Sequence, residues 1–171
     1  SSTEDMWELG MRVLDEIKES KVKNKIPVIA GGVFTTFAPD LCIKYPYIDM
    51  VCVGEGEKAI IDLCKKIERG EDYSNVTNLW VKNKDGEIKK NKISKVVDID
   101  SNPIIDLSLF EENRLYRPMA GKIWKMVPVE THRGCPYTCR FCNSPDQQRL
   151  YDQETGSSFF RKKSLQKVYN E

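Results

Sequence analysis

The sequence predicts an α/β protein in three parts: a partial, doubly wound parallel sheet over residues 1–75, a β-hairpin and linker over 76–122, and one further βα unit over 123–171. Three observations carry this expectation. Short apolar strands alternate with amphipathic helices up to Gly70, a turn at Asp85-Gly86 separates two strand-like runs, and a strand-like run from Ile123 leads into three clustered cysteines.

Residues 3–20 have helical periodicity, with Met6, Leu9, Val13, Leu14 and Ile17 on one face and Ser1 with Glu4 as a capping box. Ile26 to Ala30 is short, apolar and β-branched, and it ends at Gly31-Gly32, as a buried strand before a tight turn does. A short helix is expected from Pro39 to Tyr45, with Pro39 in its first turn. Ile48 to Val53 repeats the strand pattern and ends at Gly54-Glu55-Gly56. Helical spacing resumes at Ile60, Leu63, Cys64 and Ile67 and stops at Gly70. Alternation of this kind implies a parallel sheet covered on both faces. It fits the C-terminal half of a Rossmann-like domain whose first strands lie before Ser1.

Leu79-Trp80-Val81, the Asp85-Gly86 turn and Glu87-Ile88-Lys89 read as a hairpin. From Asp98 to Pro118 the pattern is irregular, with Pro103 and Pro118 as breakers, which suits an interdomain connector. Strand-like composition returns from Ile123 to Thr131, where Pro128 favours a strand start or an edge. Ser164 caps a last helix with Leu165, Val168 and Tyr169 on one face.

The composition is that of a globular chain: 171 residues, 40% hydrophobic and 31% charged. With 27 Lys and Arg against 26 Asp and Glu the net charge is +1, so no electrostatic footprint for a nucleic-acid backbone is visible. No apolar run approaches the roughly 18 residues of a membrane span. The chain starts at Ser1 and stops at Glu171 inside a helical pattern, so a fragment of a longer protein is expected, inactive alone.

Of six cysteines, Cys42, Cys52 and Cys64 stand singly among apolar residues and read as core residues. Cys135, Cys139 and Cys142 follow a strand in the run Glu130-Thr131-His132-Arg133-Gly134-Cys135-Pro136-Tyr137-Thr138-Cys139-Arg140-Phe141-Cys142. A loop of this C-x3-C-x2-C spacing can offer three thiolates to one iron–sulfur cubane. An electron-transfer cluster has four cysteine ligands. With no fourth cysteine nearby, one iron would stay open, as a catalytic metal centre requires. A zinc site is a poorer reading, because the chain's single histidine, His132, lies only three positions before Cys135. A Cys139/Cys142 redox pair leaves Cys135 unexplained. His132 itself reads first as a loop residue. Arg133 fits two roles, support of the loop or neutralisation of its charge.

The stretch RGCPYTCRFC resembles the radical S-adenosylmethionine superfamily. The resemblance implies that Cys135, Cys139 and Cys142 ligate a 4Fe-4S cluster, and that its open iron chelates the amino and carboxyl groups of S-adenosylmethionine. Phe141 then corresponds to the aromatic near the adenine. It further implies reductive cleavage of the sulfonium to a 5′-deoxyadenosyl radical, which takes hydrogen from a substrate. The Phe160-Arg161-Lys162-Lys163-Ser164 run is also similar to family members, as the approach to the first helix of the barrel.

Upstream, Gly31-Gly32-Val33-Phe34-Thr35-Thr36-Phe37-Ala38-Pro39 and Gly54-Glu55-Gly56-Glu57 resemble the cobalamin-binding subgroup of that superfamily. Glycines at the carboxyl ends of parallel strands let backbone approach a flat or phosphate-bearing ligand closely. Taken singly they are equally the tight turns of any α/β domain. The resemblance makes Gly31, Gly32, Gly54, Glu55 and Gly56 the candidate cobalamin contacts. The subgroup's early Asp-x-His-x-x-Gly segment is absent from this sequence, as are the later barrel strands.

The expectation that follows is a cobalamin-dependent radical enzyme that methylates an unactivated carbon or phosphorus centre of a small-molecule or peptide substrate. An external one-electron reductant, such as a flavodoxin or ferredoxin, and a reducing cytoplasm are implied, without membrane or nucleic-acid partners. Two other readings stand beside it. One is a cobalamin-free radical enzyme of cyclisation, rearrangement or thiolation; the other is a non-enzymatic iron–sulfur or zinc interaction module.

Overall fold

The computed structural model describes residues 4–24 and 26–171. The proposed capping box at Ser1 and Glu4 therefore falls outside the described residues. The chain divides into two compact units, one reaching to Val97 and taking in Glu154–Gly156, the other formed by Asp98–Gln153 and Ser157–Glu171.

The first unit opens with helix α1 (Glu4–Asn24), then β1 (Ile29–Ala30), the short helices α2 (Val33–Phe37) and α3 (Pro39–Ile43), β2 (Met50–Cys52) and α4 (Glu57–Glu68). β1 and β2 pair in parallel, Ile29 opposite Met50 and Ala30 opposite Val51, as expected from the alternation. Pro27 lacks the N–H of a ladder residue, and the first strand is correspondingly shorter than its apolar run.

Strands β3 (Leu79–Lys82) and β4 (Ile88–Lys90) form the expected hairpin, but they are not set apart with the linker. β3 pairs antiparallel with β2, Val51 opposite Trp80, and the four strands form one sheet in the order β1-β2-β3-β4. The first unit thus extends to Val97 rather than ending at residue 75.

Side chains of a strand alternate between faces, and β2 uses both. Met50 and Cys52 join Ala59, Leu63, Val76, Leu79 and Val81 in one buried cluster under α4. Val51 and Val53 join Leu14, Cys42, Ile43 and Ile48 in the other. Two of the three isolated cysteines are core residues: Cys42 is fully buried and Cys52 is 5% exposed, and burial raises both thiols to about 11. Cys64 is a correction, since it lies exposed on α4, where Ala59 and Leu63 make the buried stripe. The face of α1 differs too. Trp7, Met11 and Leu14 pack on the core, whereas Met6, Leu9, Val13 and Ile17 are at least half exposed. Met6, Val13 and Ile17 line an open apolar groove of about 420 Å³ together with Val28 and Ile29 of the β1 region.

In the second unit, 3-10 turns at Leu107–Leu109 and Glu112–Leu115 precede a hairpin of β5 (Tyr116–Met119) and β6 (Lys122–Lys125). Its turn residues Ala120 and Gly121 have φ of 50° and 74°, the left-handed pair of a two-residue hairpin turn. The expected long strand from Ile123 to Thr131 is thus split: β6 ends at Lys125 and a separate β7 (His132–Arg133) enters the cysteine loop. After the loop come α5 (Ser144–Thr155), β8 (Arg161–Lys162) and α6 (Leu165–Asn170). β7 pairs antiparallel with β8, and no parallel strand pair occurs among the described residues of this unit. α6 is capped as expected, Ser164 Oγ accepting from the Lys167 N–H at 3.2 Å.

No helix of the chain is long and apolar enough to cross a membrane, among the described residues.

Candidate functional site

The cysteine loop is anchored at both ends by short-range geometry. At its start, His132 pairs with Lys162 and Arg133 with Arg161, and the chain then turns at Gly134 with φ of +89°. A Cβ at Gly134 would stand 2.6 Å from the Phe159 carbonyl oxygen and 2.9 Å from Phe160 Cα, so only glycine allows the two segments to pass. Below them Phe159 stacks on buried Tyr151 of α5, with ring centroids 5.2 Å apart. At the far end α5 begins with Ser144-Pro145, proline occupying a first-turn position where its missing N–H costs nothing.

Between these anchors Cys135 is half-buried, whereas Cys139 and Cys142 are exposed; all three are free thiols. The Cys142 N–H donates to the Cys139 carbonyl at 3.3 Å, closing a turn between the last two. The Ser144 N–H donates to Cys142 Sγ at 3.5 Å, and Ser144 Oγ lies at the same distance. These contacts, the backbone one foremost, hold the Cys142 thiol below its ordinary range and favour the thiolate, the form that binds metal. Phe141 is 95% exposed and Tyr137 also faces solvent. Among the described residues no three His, Cys, Asp or Glu side chains converge as ligands of a single metal ion. A cubane is bound through several irons, so its thiolates need not meet at one point. Three free thiols on one loop, two of them open to solvent, are a donor set that fits such a cluster.

His132 is exposed, its Nδ1 lies 3.0 Å from Thr131 Oγ1, and its ring meets Phe160 edge-on at 5.9 Å. Arg133 turns to Glu130, donating from Nε at 2.8 Å and from a terminal nitrogen at 3.1 Å. The guanidinium in turn holds Glu130 below the usual carboxylate range. This geometry is one of loop support. Lys163, absent from the sequence-based site residues, lies behind this pair: its ammonium donates to both Glu171 oxygens at 2.7 Å and stands 3.9 Å from Glu130.

The two glycine turns of the first unit are bonded to each other. The Gly32 carbonyl accepts from Thr35 Oγ1 and Thr36 Oγ1, each at 2.9 Å, and the Gly54 N–H donates to Thr36 Oγ1 at 3.1 Å. Glu55 serves the fold with both its polar ends: its carboxylate accepts from the Val97 N–H at 2.7 Å, and its carbonyl accepts from Asn78 Nδ2 at 2.7 Å. Asn78, 2% exposed, also receives the Ser94 N–H on its side-chain oxygen. Gly31 and Gly56 are different. A Cβ would meet only Cys52, at 3.7 and 3.8 Å, which is ordinary contact, and neither has positive φ. The fold does not demand glycine at either place, and both lie at the carboxyl ends of the parallel strands.

Asn78 and Glu171 lie outside the motif stretches of the sequence, and Thr36, Glu130 and Lys163 lie inside them without a role of their own. The polar signal in the Thr35-Thr36 pair was legible as helix-start chemistry, but the partner at Gly54 was not.

No protein-family model matches the chain. It is 30% identical over 128 residues to an uncharacterized methyltransferase of Pyrococcus horikoshii, covering 72% of this chain and 26% of the relative. It is 28% identical over 137 residues to the anaerobic magnesium-protoporphyrin IX monomethyl ester cyclase of Rubrivivax gelatinosus, covering 77% of this chain and 24% of that protein. The chain thus spans about a quarter of the length of these relatives. Among solved structures, the cobalamin-dependent S-adenosylmethionine radical enzyme OxsB, with aqua-cobalamin and S-adenosylmethionine bound, superposes with a TM-score of 0.63 at 24% identity, over 95% of this chain and 21% of that one. The likeness to OxsB is one of fold. The two sequence relatives carry the names of enzymes.

Proposed function

We infer that this chain belongs to the radical S-adenosylmethionine superfamily, in the branch with a cobalamin-binding domain, and carries the cluster-binding loop of an enzyme that transfers a methyl group to an unactivated centre. The observation that carries this reading is the loop itself: Cys135, Cys139 and Cys142, free and unaccompanied by a fourth cysteine within the second unit, between the Gly134 crossing and the start of α5.

When bound, a 4Fe-4S cluster would supply the electron that splits the S-adenosylmethionine sulfonium, and cobalamin the methyl group to be transferred. The chain's own part is to hold and orient. The three thiolates would ligate, with Ser144 stabilising that of Cys142. Phe141, exposed beside the last cysteine, is available to stack against the adenine. Bare backbone at Gly31 and Gly56, beside the Gly32 and Gly54 turns that Thr36 ties together, would face the corrin. Methyl transfer is favoured by the methyltransferase relative; the cyclase relative supports a second reading, radical cyclisation at the same cluster.

Anaerobic reconstitution of the full-length enzyme tests both. Iron and sulfide near four each per chain, with cobalamin retained through gel filtration, supports methyl transfer. Cluster without cobalamin favours the cyclisation reading, and zinc in place of iron contradicts both.

A further inference from the structure

We propose that Lys163 is a positioning residue for the cysteine loop, acting through a chain of charges that runs from the buried Glu171–Lys163 pair to the partly exposed Glu130 and Arg133. The proposal rests on reading the three cysteines as cluster ligands.

The Lys163 side chain is 6% exposed and that of Glu171 11%. An ammonium so far from water persists only where carboxylates replace its hydration. Glu171 supplies two acceptors at 2.7 Å, and Glu130 lies 3.9 Å away. Glu130 in turn receives the forked guanidinium of Arg133, whose planar donors fix direction as well as distance. Arg133 adjoins Gly134, and Cys135 follows. The Lys163 backbone joins the same arrangement, its N–H donating to the Thr131 carbonyl at 3.0 Å.

The four members come from three pieces of chain: Glu130 and Arg133 from the entrance of the loop, Lys163 from just after β8, and Glu171 from just after α6. A buried ion pair contributes little net stability over an apolar pair of similar volume; what it enforces is geometry. Through this network the helix after β8 sets the angle at which the chain enters Gly134, where the Phe159 backbone leaves no slack. Loss of the charges would free the entrance of the loop while leaving the packing beneath it intact.

The test uses the full-length enzyme, reconstituted anaerobically. Replacing the pair together, Lys163→Met with Glu171→Met, avoids stranding one buried charge. The expected result is an apoprotein that melts within a few degrees of wild type, with cluster iron lost to a chelator about 10-fold faster or more and a broadened electron paramagnetic resonance signal of the reduced cluster. Lys163→Arg should restore both the release rate and the signal. Wild-type release and an unchanged signal in the double variant would overturn the proposal, as would a lowered melting temperature with no change in either. If the double variant does not fold, Glu171→Gln carries the same readouts. A wild-type enzyme that takes up no iron would instead overturn the cluster reading itself.

Discussion

Gly134 passes the backbone of Phe159 so closely that an added Cβ would lie 2.6 Å from its carbonyl oxygen. That contact fixes where the chain leaves β7 for the cysteine loop, and it joins a left-handed φ to a steric limit at one residue.

Gly134→Ala should therefore cost at least about 2 kcal/mol, concentrated in the second unit. Limited proteolysis of the apoprotein should show earlier cleavage near the loop, and reconstituted iron should fall well below wild type. Gly86→Ala makes the comparison, because that glycine also has positive φ but nothing within 4 Å of its added Cβ. It should lower stability without lowering iron content.

Thr36 bridges the two glycine turns, and its hydroxyl accepts the Gly54 N–H. Thr36→Val preserves shape and should cost about 1–3 kcal/mol in urea unfolding. Thr35→Val should cost less, since the Gly32 carbonyl retains the Thr36 hydroxyl. If Gly31 and Gly56 face cobalamin, Thr36→Val should also loosen its retention.

Asn78 holds positive φ of 68° while its side chain ties Glu55 to the segment at Ser94. Asn78→Ala loses both bonds and the tolerance of asparagine for that conformation, so a loss of about 2–4 kcal/mol is expected. Asn78→Gly should lose less, because it keeps the backbone at ease. Chemical denaturation of the three proteins orders them directly.

Acid should expose the Glu130–Arg133 pair. Glu130 has an ordinary value of 4.5 and is held lower in the fold, first by its hydrogen bond to Arg133. A depressed carboxylate contributes stability at neutral pH and loses it as pH falls through the folded value. The gap in stability between wild type and Glu130→Gln should be present at pH 7 and close as pH falls below that range. A gap that widens on acidification would refute the assignment.

Thiol labelling separates the cysteines. Cys42 and Cys52, buried and raised to about 11, should resist alkylation in the native apoprotein at pH 8 and react on unfolding. Cys139 and Cys142, exposed, should react at once, as should Cys64. Mass spectrometry of the labelled peptides reads all of them together.

The parts of the fold that follow periodicity were legible in the sequence. The parallel pairing of β1 with β2 comes from alternation of apolar strands and helices, and the β3–β4 turn from Asp85-Gly86. That the hairpin extends the same sheet was not legible, since nothing local in Leu79–Lys82 names β2 as its partner. The β5–β6 hairpin was hidden by Pro118, which reads as a breaker but is accommodated in a two-stranded ribbon; its Ala120-Gly121 turn was the overlooked signal. α5 was missed because its twelve residues are almost wholly polar, with Tyr151 its one buried side chain. Cys64 and the outer face of α1 show the converse, apolar spacing without burial.

In the candidate site, spacing alone singled out Cys135, Cys139 and Cys142. Lys163 and Glu171 could not be found this way, because their role depends on Glu130, more than thirty positions before Lys163, coming within 3.9 Å. The glycines divide as well. Gly32 and Gly54 are bonded into the turns themselves, whereas nothing in the packing requires Gly31 or Gly56.

The most direct measurement is electron paramagnetic resonance of the reduced, anaerobically reconstituted full-length enzyme before and after S-adenosylmethionine is added, beside a Cys135→Ala, Cys139→Ala, Cys142→Ala variant. A 4Fe-4S signal that shifts with S-adenosylmethionine and is missing from the variant is the predicted result. A signal indifferent to S-adenosylmethionine, or one that survives loss of all three cysteines, would contradict the account.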